Sequence, residues 1–282
     1  MKVSELNVYP LKSGRGIALT EAEIGPAGIP GDRVMMVTGP DGMFITQREL
    51  PALARLRVTP QASSVEMRMD GAESITVDRP DPARRMDVVV WKSPVSAAVA
   101  GEEANRTLSG WLGRDVRLVF FDNQSRRTAS SDWAGEDTPV TFADGYQVLI
   151  TTTASLAAIN ADMRAHGEGE IGMERFRPNI VVETDEAWAE DGWDTVEIAG
   201  ITFDLVKPCA RCIMTTQDQQ TGSREVASPM AAMGRIRMSA DRRVPGPLFG
   251  WNAVPRQTGR IRLGEEVRVI SRKEMPWQIK RR

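Results

Sequence analysis

Apolar residues in this chain alternate with polar ones more often than they recur every third or fourth position. Near the start, VSELNVYP spaces Val3, Leu6 and Val8 with polar neighbours. RVMMVTGPDGMFIT reads as two apolar runs around Gly39-Pro40-Asp41-Gly42, a hairpin signal. ITVDRP and MDVVVWKS add two short strands. The period turns helical in GEEANRTLSGWLG, where Ala104, Leu108, Trp111 and Leu112 share a face and Gly113 marks the end. DVRLVFF returns to strand. Residues 123–145 are polar and read as a connection between two halves or an ordered loop over a site. YQVLIT is the next strand, followed by the amphipathic helix TTASLAAINADMRAHG with Leu156, Ile159 and Met163 on one stripe. NIVVE, DTVEIAG and ITFDLVKP are strands, the last two joined at Ala199-Gly200. ASPMAAMGRIRMSADRR holds a short helix, and RIRL with EVRVI is expected to close the chain as a hairpin.

These strands are short and outnumber the helices, and the helices do not alternate with them. A doubly wound parallel sheet is therefore disfavoured. The pattern predicts a mostly β (α+β), largely antiparallel, barrel-like architecture with a few helices. No internal repeat or low-complexity tract is visible.

Composition narrows the functional classes. The chain of 282 residues is 41% hydrophobic and 26% charged, as expected of a globular protein. Its net charge of -2 gives no global field for nucleic acid or a membrane surface, so neither is expected as a partner. There is no run of about 18 apolar residues, the minimum for a membrane-crossing helix. The opening MKVSELNVYPLKS lacks an apolar signal region, and two cysteines cannot build a disulfide framework; the cytoplasm is the expected location. The single histidine, His166, is placed as a helix C-terminal cap. Histidine-dependent triads and histidine-rich metal sites are thereby set aside.

The two cysteines, Cys209 and Cys212, sit together in VKPCARCIMTTQD between Lys207 and Arg211. Four readings apply: buried core cysteines, a thioredoxin-like redox pair, a structural zinc site, or one thiolate on a soft metal whose other ligands belong to a cofactor. Zinc lacks enough ligands, and the sequence after Cys212 is turn-like where a redox pair needs a helix. The cofactor reading requires an anion pocket. Lys12-Ser13-Gly14-Arg15-Gly16 offers close backbone approach, charge and a hydroxyl. Arg33 opens the first hairpin and Thr46-Gln47-Arg48 closes it, so Arg33 and Arg48 are expected near each other across paired strands. Arg175-Phe176-Arg177-Pro178-Asn179 adds a compact donor cluster.

Taken in order, YPLKSGRG, GDRVMMVTGPDGMFITQRE, ERFRPNIVVE and KPCARCIMTTQDQQTG resemble the MOSC family, most closely its amidoxime-reducing branch. The resemblance runs nearly end to end. It implies a barrel-like MOSC N-terminal domain over residues 1–120 and a MOSC domain over residues 121–275. It further implies a molybdopterin form of the molybdenum cofactor and reduction of N-hydroxylated compounds; pyridoxal phosphate binding travels with the family as a label. Position by position it makes Cys212 the molybdenum ligand and catalytic centre. Lys12, Ser13 and Arg33 match the positions that hold the cofactor's phosphate and pterin. Arg177 and Asn179 match the element beside it, Asp144 with Gly145 matches a loop at the pterin, and Arg211 accompanies the ligand. With two cysteines the chain carries no iron–sulfur cluster. Electrons are then expected from a separate ferredoxin- or flavin-type donor protein. The alternative is a sulfur or cofactor carrier without turnover.

Overall fold

The computed structural model describes residues 1–280. The alternation seen in the sequence becomes strands with one buried face where a strand borders solvent. In β1 (Lys2–Val8), Val3, Leu6 and Val8 face the core, and a bulge after Val3 breaks the alternation. The strands that follow are β2 (Ile17–Leu19), β3 (Glu21–Ile24), β4 (Met35–Thr38), β5 (Leu56–Pro60), β6 (Ser64–Met69), β7 (Ile75–Asp78), β8 (Arg85–Val90), β9 (Ser93–Val99) and β10 (Arg117–Phe120). The second half contributes β11 (Val148–Thr152), β12 (Ile180–Glu183), β13 (Trp193–Ile198), β14 (Ile201–Ala210), β15 (Leu248–Pro255), β16 (Gly259–Arg262) and β17 (Val267–Arg272). β3 and β7 bury one face, while β4, β11 and β12 are buried almost throughout. Four α-helices join them among the described residues: α1 (Glu102–Leu112), α2 (Ser131–Ala134), α3 (Thr153–Ala165) and α4 (Met230–Ile236).

The largest sheet has eight strands in the order β17-β13-β14-β15-β11-β12-β1-β2. Its pairings are antiparallel except β11 with β12, whose crossover carries α3. β1 reaches this sheet from the start of the chain, with Leu6 opposite Ile180. A four-stranded sheet (β4-β10-β9-β8) and a three-stranded meander (β5-β6-β7) form the rest of the first half, and β3 pairs with β16. The fold is thus mostly β, with curled antiparallel sheets and an N-terminal β-barrel domain, as expected. One core lies against the large sheet around Trp193, Phe203 and Trp251; another gathers Leu53, Met67, Leu108 and Leu118 in the first half. No helix among the described residues is long and apolar enough to cross a membrane.

The helices end where local chemistry ends them. α1 carries Glu102 and Glu103 in its first turn, favourable at a helix N-terminus, and stops at Gly113 in the left-handed region, φ 63°. α3 is capped by the Thr152 hydroxyl, which accepts from the Ser155 N–H, and ends at His166, whose Nδ1 lies 2.8 Å from the Asp162 carbonyl. The expected capping role of His166 is met.

Two expectations fail. RIRL and EVRVI do not form a hairpin: β16 pairs with β3, and β17 pairs with β13. Charge and burial explain the choice. Ile261 enters the main core, while Arg260 and Arg262 lie against Glu21 and Glu23 across the strand pair. The second arm of the Gly39–Gly42 hairpin is not a regular strand either. Thr38 bridges Phe44 and Ile45 N–H bonds Val37 O, but Met43 bridges in parallel to Val89 instead of continuing the ladder.

Candidate functional site

The extended strand β1 ends at Val8, and the chain turns sharply through Tyr9-Pro10-Leu11-Lys12-Ser13-Gly14. That turn, the entry to β12 and the far end of β14 converge on a cavity of about 350 Å³. All eight residues singled out by the sequence line it: Lys12, Ser13, Arg33, Asp144, Arg177, Asn179, Arg211 and Cys212. Eight cationic side chains face the cavity against a single lining carboxylate, Asp144. The arrangement therefore attracts anions, although the whole chain is nearly neutral.

The floor is built on Tyr9. Its ring is buried, its hydroxyl donates to Pro178 O at 3.1 Å, and the guanidinium groups of Arg33 and Arg177 each stand 4.2 Å from the ring centroid. Burial pushes the Tyr9 hydroxyl up to about 12, against the pull of both arginines, so it stays neutral. Arg33 pairs with buried Asp32 at 2.5 Å and donates to Asn179 Oδ1 and Arg177 O. Asn179 Oδ1 also accepts from Leu149 N–H, so this oxygen is committed to holding Arg33 and β11 together. Arg177 differs. It is 8% exposed, donates to Gly14 O at 2.7 Å and Gln219 Oε1 at 3.2 Å, and has no carboxylate partner. Its Nη2 is buried without any acceptor. Burial, reinforced by the Arg33 charge, lowers Arg177 from 12.5 to about 10.

At the lip, Lys12 Nζ donates to Phe142 O at 2.8 Å and to Asp144 Oδ1 at 2.6 Å. Lys12 is buried, which makes its ammonium more acidic despite Asp144 beside it. The Asp144 side chain is 72% exposed and lines the cavity wall beside Lys12. Neighbouring protein works against ionisation, but the Lys12 charge and hydrogen bond override it and hold the carboxyl below the usual carboxylate range. Trp91 Nε1 donates to the same oxygen at 3.2 Å.

Strain concentrates here. Ser13, Arg33, Trp91 and Arg177 all have φ between 48° and 64°, a region costing non-glycine residues about 1–3 kcal/mol each. They are four of the seven such residues among those described, and all four line the cavity.

Cys209 lies one residue before the end of β14 and Cys212 two residues beyond it. Cys212 is exposed and Cys209 partly buried, and both are free. Arg211 Nη1 donates to Cys209 Sγ at 2.9 Å and Nη2 to Phe176 O at 2.7 Å, leaving Nε buried without a partner. Cys212 precedes a single 3-10 turn, Ile213–Thr216, not the α-helix that a thioredoxin-like pair requires. The first two readings of the cysteines, buried core and thioredoxin-like pair, are removed by this geometry. Arg48 lines the same cavity as Arg33, but from beyond the irregular hairpin arm and not from a paired strand. The polar segment 123–145 is an ordered loop whose end supplies Ala143, Asp144 and Gly145 to the wall.

Sequence reasoning missed Trp91, Tyr146, Met214 and Arg243, which also line the cavity. Trp91 fell inside the strand-like run MDVVVWKS; only the pairing of Val90 with Ser93 shows it at a two-residue turn position where glycine is usual.

Two family models match the chain: the MOSC N-terminal beta barrel domain over residues 1–115 and the MOSC domain over residues 137–268. Among curated proteins, mitochondrial amidoxime-reducing component 1 of Danio rerio is 28% identical over 95% of this chain and 85% of its own length. Mitochondrial amidoxime reducing component 2 of Bos taurus is 29% identical over 94% and 82%. Among solved structures, the YUAD protein of Bacillus subtilis is 12% identical, covers 94% of this chain and 93% of its own, and superposes with a TM-score of 0.41, a likeness that carries no weight here. With both models matching in order, the chain belongs to the MOSC family, a MOSC N-terminal beta barrel domain preceding a MOSC domain.

Proposed function

We propose that this protein is a molybdenum-cofactor-dependent reductase of N-hydroxylated compounds, supplied with electrons by a separate redox protein. One observation carries the reading. An exposed thiol, Cys212, shares a cavity with a buried guanidinium, Arg177, that has an unused N–H and no carboxylate. The amidoxime-reducing relatives and the MOSC domain support the reaction class.

The donor set fits a phosphate-bearing pterin cofactor. Arg177 Nη2 and Arg211 Nε are buried donors without protein acceptors, so an anionic ligand would satisfy them. Among the described residues no group of three or more His, Cys, Asp and Glu gathers to hold a metal. A metal here would take a thiolate from Cys212 and its remaining ligands from the organic group. Lys12, Ser13, Arg33 and Arg177 would hold the phosphate and pterin, with Asn179 fixing Arg33 and Arg211 flanking the thiol. When bound, the cofactor supplies the two-electron redox chemistry.

The chain's own groups serve the other half of the balance. Reducing an N–OH to an N–H consumes two electrons and two protons and releases water. Lys12 Nζ, made more acidic by burial, faces the cavity, and its partner Asp144 is open to water. Together they would pass protons from solvent into the cavity. The electrons come from the donor protein, a ferredoxin or flavoprotein in class.

The test is elemental analysis of protein purified from a host that makes the cofactor, with turnover of a hydroxylamine or amidoxime driven by a chemical reductant. Molybdenum near one per chain, lost in Cys212→Ala, is expected; absence of molybdenum in the unmodified protein refutes the reading. The exposure of Cys212 also favours a second reading, a sulfur or cofactor carrier without turnover. A one-sulfur mass increase on Cys212 in metal-free protein would select it.

A further inference from the structure

Trp91 is a large apolar residue that the core does not use. It is 45% exposed, at the tip of the β8–β9 hairpin, with φ 58°. Val90 and Ser93 pair, so Trp91 and Lys92 form a two-residue loop in which only the first position has positive φ. Glycine is the usual occupant of such a position. A tryptophan there is strained and leaves nearly half its surface in water, and neither feature helps folding. Yet the ring is held firmly. Phe44 meets it at 5.2 Å with a 56° tilt, the Arg48 guanidinium stands 4.6 Å from its centroid, and Asp144 binds its N–H. The indole lines the same cavity as Cys212 and comes from the opposite half of the chain.

The geometry points to Trp91 as the substrate platform: its exposed ring surface stacks planar, conjugated N-hydroxylated compounds and sets the preference for them over saturated hydroxylamines. This rests on the reductase reading above. A flat π-conjugated amidoxime or hydroxamic acid gains an offset stack on a preorganised indole, whereas a saturated, tetrahedral hydroxylamine of the same size gains only area. Arg48 behind the ring and Asp144 at its edge fix the indole, so no rotamer freedom is lost when substrate binds.

The experiment has two arms. Fluorescence titration of benzamidoxime against N,N-diethylhydroxylamine uses the purified holoenzyme without reductant. The aryl compound is expected to quench an emission component that is missing in Trp91→Phe, and the aliphatic compound is not. In steady-state turnover, Trp91→Ala is expected to raise KM for the aryl substrate about fivefold, about 1 kcal/mol at 1.4 kcal/mol per tenfold, with a smaller change in kcat. The aliphatic KM should change less than twofold. If Trp91→Ala fails to fold, Trp91→Gly replaces it, because glycine suits the turn. Equal effects on both substrates, or an aryl-dependent quench that survives in Trp91→Phe, overturn the proposal. Quenching without any turnover would overturn the reductase reading and leave Trp91 as a binding platform.

Discussion

Arg177→Met separates the cost of an unpaired buried charge from its use. In the ligand-free protein the fold brings the guanidinium from 12.5 to about 10, which at 1.36 kcal/mol per tenfold disfavours its charge by about 3 kcal/mol. Methionine removes that penalty. It also removes two hydrogen bonds, to Gly14 O and Gln219 Oε1, each worth about 1.5–3 kcal/mol from a charged donor. The balance is between zero and about 3 kcal/mol against the variant, so ligand-free Arg177→Met should melt at, or up to about 10 °C below, the parent. An anion that pairs with Arg177 recovers the penalty. At a hundredfold excess over its Kd such an anion adds about 2.7 kcal/mol, or roughly 5 °C or more for a chain of this size. A hundredfold weaker affinity in the variant reduces the gain to about 0.4 kcal/mol, about 1 °C. The assay is thermal melting of protein made in a host lacking the cofactor, in inorganic phosphate against chloride at matched ionic strength. Full phosphate stabilisation in Arg177→Met, or none in the parent beyond that of chloride, would refute the reasoning.

The remaining predictions test other groups. Cys212→Ser should lose bound molybdenum while Cys209→Ser retains most of it, because serine still accepts from Arg211; equal loss in both would contradict unequal roles. Burial brings Lys273 down to about 8, against the nearby carboxylates of Asp194, Asp191 and Asp204. Its folded value lies below the unfolded one, so the folded protein releases a proton first and stability rises between about pH 8 and 10.5. Lys273→Met should accordingly be most stabilised relative to the parent near pH 7, and the difference should shrink by about 1–2 kcal/mol at pH 9.5 in urea unfolding. Glu190 is buried beside the hydroxyls of Thr152 and Ser155, and burial raises its carboxyl above the ordinary value. Glu190→Gln should cost under about 1 kcal/mol and Glu190→Ala about 2–3, since alanine removes the acceptor shared by both hydroxyls and leaves a cavity. Equal costs would place the effect in packing alone.

Much of the site was legible because its residues are short-range punctuation. A lysine and a serine after a strand, arginines at strand entries, and two cysteines three residues apart each announce themselves locally, and every one lines the cavity. What the chain hid is non-local. β15 buries seven of its eight residues, so LFGWNAVP shows no alternation and gave no strand signal. The β3–β16 pair joins segments more than 230 residues apart, and its signature is the match of Glu21 and Glu23 to Arg260 and Arg262. The hairpin rule favoured neighbours in sequence and missed it. Trp91 was hidden differently: a strained tryptophan in a turn reads as an error until the turn's φ is known.

The placement of β1 also governs when the site can exist. β1 pairs with β12 about 177 residues later, whereas the Lys12–Ser13 turn is anchored to its own half, with Lys12 N–H on Met35 O and Ser13 O accepting from Gln47 Nε2. During synthesis the first half can settle its own barrel, but β1 must wait until the second half has left the ribosome. Lys12 and Ser13 therefore meet Arg177 and Cys212 only in the finished chain. Maturation is ordered by topology: a truncated or stalled product has no complete pocket, and the cavity closes as the last step of folding.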